Sequence, residues 1–270
     1  MGLAQQVAYS SLLAFFPAVI FLIAALDLVG AYSALQDFLD PVAPQAVTNL
    51  IDQLKEDSGG GGTVVALVAG AFLAVWAASG AMGSVVKAVN RAYDRLETRP
   101  FWKVRLIAIL LVGATGFVTA GVLLLIVFGG KLGAAIAEEA DLGGAFTWAW
   151  DLLRWPLAFT IVLLLFALIY YLGPDTDHRN WKWITPGSLV GGIIWLALSG
   201  LFALYTAFTD SYSATYGTLA GGIILLLWLN YSAWAILFGA ELNAELDRQA
   251  DIRAAGGPSA GLVKPVRRER

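Results

Sequence analysis

Six long apolar runs constrain this chain more than any other feature. Over residues 7–29, 63–83, 104–128, 155–172, 185–208 and 217–240 the sequence is almost free of charge. Each run is close to the about 20 residues that an α-helix needs to cross the hydrocarbon core of a bilayer. In that core every backbone N–H and C=O must be bonded within protein, which leaves helices and closed barrels. The runs are continuous rather than alternating, so the barrel pattern is excluded. Composition removes the other classes. The chain is 59% hydrophobic and 14% charged, against roughly 45–50% and about 25% in soluble domains. Disorder goes with the opposite bias. The expected fold is an all-α membrane protein with six transmembrane helices.

The basic residues set the expected orientation. Fourteen of the 17 Lys and Arg fall on one side. They are Lys87, Arg91, Arg95, Arg99, Lys103 and Arg105 around the second connection, Arg179 and Lys182 in the fourth, and Arg248, Arg253, Lys264, Arg267, Arg268 and Arg270 after the last run. Lys55, Lys131 and Arg154 lie opposite, among many carboxylates. Cytoplasmic loops carry the Lys/Arg excess, so both termini are expected in the cytoplasm, as an even number of spans requires. The first run lacks a positive leader and is interrupted by Pro17, so it is expected to be retained rather than cleaved as a signal peptide.

One transmembrane domain over residues 1–246 and a disordered basic cytoplasmic tail over 247–270 are expected. In the first outer loop Val47, Leu50, Ile51 and Leu54 recur at helical spacing between polar residues, which predicts an amphipathic helix. Pro44 suits its start, and Gly59 to Gly62 form a hinge after it. Trp102, Trp181 and Trp183 at the inner boundary, and Trp148, Trp150 and Trp155 at the outer one, are read as interfacial belts.

Polar residues inside the spans are the first candidates for function, because they are costly there and tend to face the bundle interior. Ser188, Ser199 and Thr206 share a face of the fifth span with Gly191, Trp195 and Phe202. In the sixth, Asn230, Trp234, Phe238, Glu241 and Glu245 form one stripe. Two readings stand: interhelical hydrogen bonds, or the lining of a solvated cavity. A pathway would be lined by Tyr9, Ser10, Pro17, Ser199, Thr206, Asn230 and Glu241, with Pro17 kinking the first helix. Gly187/Gly191 and Gly217/Gly221 are small-xxx-small pairs suited to close helix packing, or to a dimer face.

Catalytic patterns are sparse. The chain has one His and no Cys. That His ends Asp175-Thr-Asp-His178, which follows Gly173-Pro174 and reads as a solvated turn. Asp94, Glu97, Glu241 and Glu245 are read as partners of nearby Arg91, Arg95 and Arg99. No enzyme activity, metal or cofactor is expected. An acidic balance of −3 offers no basic face for nucleic acid. Membrane lipids are the expected partners, with a homo-oligomer left open.

The motifs also carry a resemblance. Tyr9-Ser-Ser-Leu-Leu-Ala-Phe-Phe-Pro17 resembles the start of the YihY/BrkB family of bacterial inner-membrane proteins, once labelled ribonuclease BN. Asn90-Arg-Ala-Tyr93 with Thr98-Arg-Pro-Phe-Trp-Lys-Val-Arg105 is similar to its first cytoplasmic loop. Residues 170–183 with Pro186-Gly187 are similar to the next. Tyr216-Gly217, Leu227-Trp-Leu229 and Gly239-Ala-Glu-Leu-Asn-Ala-Glu245 are similar to its last helix. The resemblance implies six spans, both ends inside, and a motif-bearing cytoplasmic face of Asn90, Arg91, Tyr93, Arg99, Trp102, Asn243 and Glu245. It also implies a longer N-terminal segment than this chain shows. Transport or envelope-lipid handling is the expected function, with Asn230 and Glu241 lining a cavity. The alternative is a non-transporting scaffold for partners or anionic lipids. RNA cleavage has no support in these residues.

Overall fold

The computed structural model describes residues 2–28, 64–127, 129–176, 183–207 and 218–254. These residues form seven helices and no strands: α1 (Gly2–Leu28), α2 (Val64–Ala92), α3 (Phe101–Val127), α4 (Gly129–Glu139), α5 (Gly143–Leu172), α6 (Pro186–Ala207) and α7 (Thr218–Ala254). All but α4 are long and apolar enough to cross a membrane, which gives the six spans. The amphipathic segment at 47–54, His178 and Gly217 lie outside the described residues.

Three boundaries differ from the sequence expectation. The fourth span starts as helix at Gly143, with Pro156 inside it. Pro156 has no N–H and so frees the Leu152 carbonyl one turn earlier, which a membrane helix tolerates better than a soluble one. Helix α4 adds a short helix between the third and fourth spans. Helix α7 runs on to Ala254, past the expected end of the domain at 246.

The ends of α2 and α4 stop by the same device. Arg95 N–H donates to Asn90 C=O at 2.9 Å, and Asp94 N–H to Arg91 C=O at 3.1 Å. Asp94 sits between them at φ 51°. Leu142 to Ala137 and Asp141 at φ 50° repeat this in α4. This is the Schellman arrangement, whose left-handed residue is usually Gly. Asp tolerates it better than most side chains.

The six long helices close into a ring in the order α1, α2, α3, α5, α6, α7, with α7 also touching α2 across it. Helix α4 lies against α5 and α3. The core is built from Val7, Val85, Val86, Val89, Ile107, Leu111, Phe166, Ile169, Tyr170 and Ala240. Large apolar side chains such as Phe72, Leu110, Phe117 and Leu201 face outward. That reversal of the soluble pattern suits a solvent of acyl chains.

Candidate functional site

Two polar assemblies tie the helix ends together at the basic end of the bundle, where α2, α5 and the sixth span finish and α3 and α6 begin. The first is centred on Arg99, whose side chain is 4% exposed. Its Nε and Nη2 donate to the Glu97 carboxylate at 2.6 and 2.7 Å. Nη1 and Nη2 donate to the carbonyls of Leu172 and Gly173 at 3.2 and 2.8 Å. The cation therefore caps the C-terminus of α5, where the helix dipole favours it.

Asp175 completes this clamp. Its carboxylate accepts from the Thr98 N–H and hydroxyl and lies 3.7 Å from Arg99 Nε. Buried Asn90 bridges both acids: Nδ2 donates to Glu97, and Oδ1 accepts from Asp175 N–H. Hydrogen bonds from Arg99 hold the Glu97 carboxyl below the ordinary carboxylate range, against the opposing effects of burial and of Asp175. The reading of Asp175 as a solvated turn residue is thereby corrected. A turn supplies it, but the backbone returns it to the α2–α3 connection.

The second assembly is centred on buried Asn243 of α7. Its Oδ1 accepts from Gly187 N–H at 2.8 Å and its Nδ2 donates to Thr185 Oγ1 at 2.9 Å. Ser188 and Thr185 exchange bonds that cap the start of α6, as Thr residues at this position commonly do. Tyr93, just past the end of α2, contacts Asn243, and its burial together with Asp247 pushes its phenol pKa upward. Just inside, α6 and α7 meet at Gly187 and Gly239, where a Cβ on either would strike the other's backbone carbonyl. At Gly191 a Cβ would come within 3.0 Å of the Ala235 carbonyl and the Tyr170 hydroxyl. That hydroxyl donates to the Ile236 carbonyl at 2.9 Å.

The residues expected to line a pathway do not gather. Tyr9 is 60% exposed, on the outer surface. Ser10 bonds Ser84 of α2 at 3.0 Å and the Gln6 carbonyl at 2.8 Å. Pro17 is half-buried in α1. Ser199 accepts from Trp228 Nε1 at 3.2 Å, and Ser232 from Trp195 Nε1 at 3.1 Å. Thr206 is in α6, its side chain outside the described residues. On the stripe from Asn230, Trp234, Phe238 and Glu241 are exposed and Asn230 and Glu245 are half-buried. The small residues Ala233, Ala235, Gly239 and Ala240 are buried instead, since they let α1, α2 and α6 approach. Gly221 is buried at the far end of α7. A crevice between α1, α2 and α7, lined by Val7, Val85, Ala88, Ala233, Ile236 and Leu237, is apolar and too narrow for water.

The comparisons with known proteins agree with this architecture. The family described as Virulence factor BrkB matches residues 1–261. The chain belongs to that family. Among its relatives is the ribonuclease-like protein YfkH of Bacillus subtilis (strain 168), 30% identical over 252 residues, or 92% of this chain and 90% of that protein. A UPF0761 membrane protein of Rhodospirillum centenum is 29% identical over 260 residues, covering 91% of this chain but only 54% of its own length. A further UPF0761 membrane protein, from Mannheimia succiniciproducens, is 40% identical over 111 residues, or 41% of this chain and 37% of that protein. No solved structure matches. This BrkB-family chain is thus a multi-pass bacterial membrane protein.

Of the BrkB motif residues, Asn90, Tyr93, Arg99 and Asn243 build the two assemblies. Arg91 and Trp102 are exposed, and Glu245 pairs with Arg248 at 2.8 Å. Glu97 was expected to pair with an arginine, but its place beside Asp175 was not legible, since the two are far apart in sequence. Thr98, Thr185 and Tyr170 were missed as well. One further group stands apart. Arg105 reaches from α3 to α2, where Nη2 donates to the Trp76 carbonyl at 2.8 Å and the guanidinium lies 4.0 Å over the Trp76 ring. A charged residue inside an otherwise apolar run was the signal for it. Among the described residues no group of three His, Asp or Glu side chains is placed to hold a metal ion.

Proposed function

We propose that this protein handles lipids or a related amphiphile of the bacterial inner membrane and meets its substrate on the lipid-facing flank of the bundle. The carrying observation is Arg105: a cation within an apolar span, on a face whose neighbours Phe72 and Trp76 are exposed. Ionisable groups at such depth mark substrate pathways or relays more often than packing. The polar stripes of α6 and α7 speak for the flank rather than a central pore, because their tryptophans and serines bond one another. The Lys/Arg excess supports an orientation with both termini in the cytoplasm, which puts the clamp on that side. RNA hydrolysis forms no part of this reading; "ribonuclease-like" describes the Bacillus relative.

The test is reconstitution into phosphatidylglycerol-containing vesicles with a trace of headgroup-accessible fluorescent lipid. A membrane-impermeant reductant bleaches the outer leaflet. In vesicles holding the wild-type chain, bleaching is expected to continue into the inner-leaflet pool. Bleaching that stops at the outer leaflet, as in protein-free vesicles, overturns the transport reading. The scaffold alternative is favoured by one observation, the dense bonding of the Arg99 clamp, which holds the α2–α3 connection rigidly on the end of α5. Lipid retention without leaflet exchange is its signature.

A further inference from the structure

Two arginine Nε atoms are buried without a partner among the described residues, on Arg105 and Arg154; Arg154 has Asp151 beside it, whereas Arg105 has no described carboxylate beside it. An arginine one turn inside a span ordinarily extends its head back to the interface. Arg105 stands three residues after the exposed Trp102, so that route is short. Its head instead lies at the level of Trp76 and Gly80. These lie 7 and 3 residues inside the end of the second apolar run at residue 83, or about 10 and 5 Å along the helix axis. One of the five N–H donors of the fork bonds a described acceptor, the Trp76 carbonyl. That carbonyl also takes the Ser79 hydroxyl at 2.9 Å, so Ser79 has no donor left over. Nε is buried and has no partner. No carboxylate forms an ion pair with Arg105 among the described residues. The Trp76 face stabilises the charge from one side. Nothing beyond Arg105 Nη1, 3.8 Å away, crowds a Cβ built on Gly80. Helix α2 therefore leaves room at Gly80 beside Nη1, which has donors to give.

We propose that this notch, formed by Arg105, Trp76 and Gly80, binds the phosphate of a phospholipid headgroup drawn below the membrane surface. The guanidinium fork matches two phosphate oxygens. The exposed Phe72, Trp76 and Leu106 around it offer acyl chains a continuous apolar surface. The choice of a lipid as the source of the phosphate rests on the lipid-handling reading; the phosphate chemistry rests on Arg105 alone.

The full-length chain in detergent is titrated with phosphatidylglycerol, and retained lipid is counted by native mass spectrometry. Diacylglycerol, which lacks the phosphate, is run in parallel. Arg105→Gln is expected to weaken phosphatidylglycerol retention about tenfold or more, as for loss of a charge-assisted pair. Trp76→Leu, which keeps the cation, is expected to weaken it about threefold and serves if Arg105→Gln does not fold. Arg154→Gln, at the opposite end of the bundle, is expected to leave it unchanged. Equal retention by the wild type and Arg105→Gln overturns the site, as does equal retention of diacylglycerol. Displacement of the lipid by millimolar inorganic phosphate overturns the lipid source. Arg105-dependent retention without leaflet exchange in vesicles upholds the site and sinks the transport reading.

Discussion

Replacing Arg99 by Met tests whether the clamp holds the basic end of the bundle together. The substitution keeps the aliphatic volume and removes four hydrogen bonds: two to Glu97 at 2.6 and 2.7 Å, and two to the carbonyls of Leu172 and Gly173 at 3.2 and 2.8 Å. Removing one partner of a buried ion pair costs roughly 3–5 kcal/mol. The Glu97 and Asp175 side chains keep 24% and 18% of their exposure, so water re-solvates them in part and moves the cost toward the lower bound. Loss of the α5 cap acts in the opposite direction. The expected loss is about 3 kcal/mol, read as the free energy of unfolding in mixed micelles titrated with denaturing detergent. Glu97→Gln alone costs less, since Asp175 still faces the cation. The double variant should be about 1–2 kcal/mol more stable than the sum of the singles. An Arg99→Met protein within about 0.5 kcal/mol of wild type, the range of an ordinary surface change, refutes the clamp as a structural element.

Two further outcomes follow from the same end of the molecule. Gly187→Ala puts a methyl group against the Gly239 carbonyl and Asn243, and is expected to cost about 1–3 kcal/mol by overpacking; Gly200→Ala, with open space around it, is the matched control in the same unfolding titration. Acid should loosen the clamp. The Glu97 pKa is lowered in the folded chain, so its contribution is complete above the ordinary value of 4.5 and is lost as pH falls below that toward the folded value. Glu97→Gln should flatten stability against pH in that window, and an unchanged profile counts against the Arg99–Glu97 bond.

How much was legible in the sequence can be argued from particular residues. The six spans were readable because a run of about 20 apolar residues has few alternatives to crossing the bilayer. The Gly187/Gly191 pair was readable as a packing surface, since absence of a side chain has a direct geometric meaning. Glycine spacing does not name the partner, and only α7 with Gly239 and Ala235 supplied it. Periodicity also finds a stripe without its direction. The Asn230 stripe was open to two readings, interhelical bonding or a lining, yet Trp234 and Phe238 point outward because the small residues on the other side of α7 allow closer contact. In a bilayer, apolar side chains on either face are tolerated, so hydrophobicity does not distinguish inside from outside as it does in water.

The sequence by itself determined the class, the number of spans, the uneven distribution of charge and the membership signalled by ordered motifs, because each depends on composition or local order. The tertiary structure alone decided that Asn90, Glu97, Arg99 and Asp175 form one clamp, that Asn243 ties three helices, and that the head of Arg105 turns toward Trp76. These are relations between helices up to 85 residues apart in sequence. Hydrogen bonds and ion pairs act only within a few ångströms, and that proximity is created by the way the ring of helices closes.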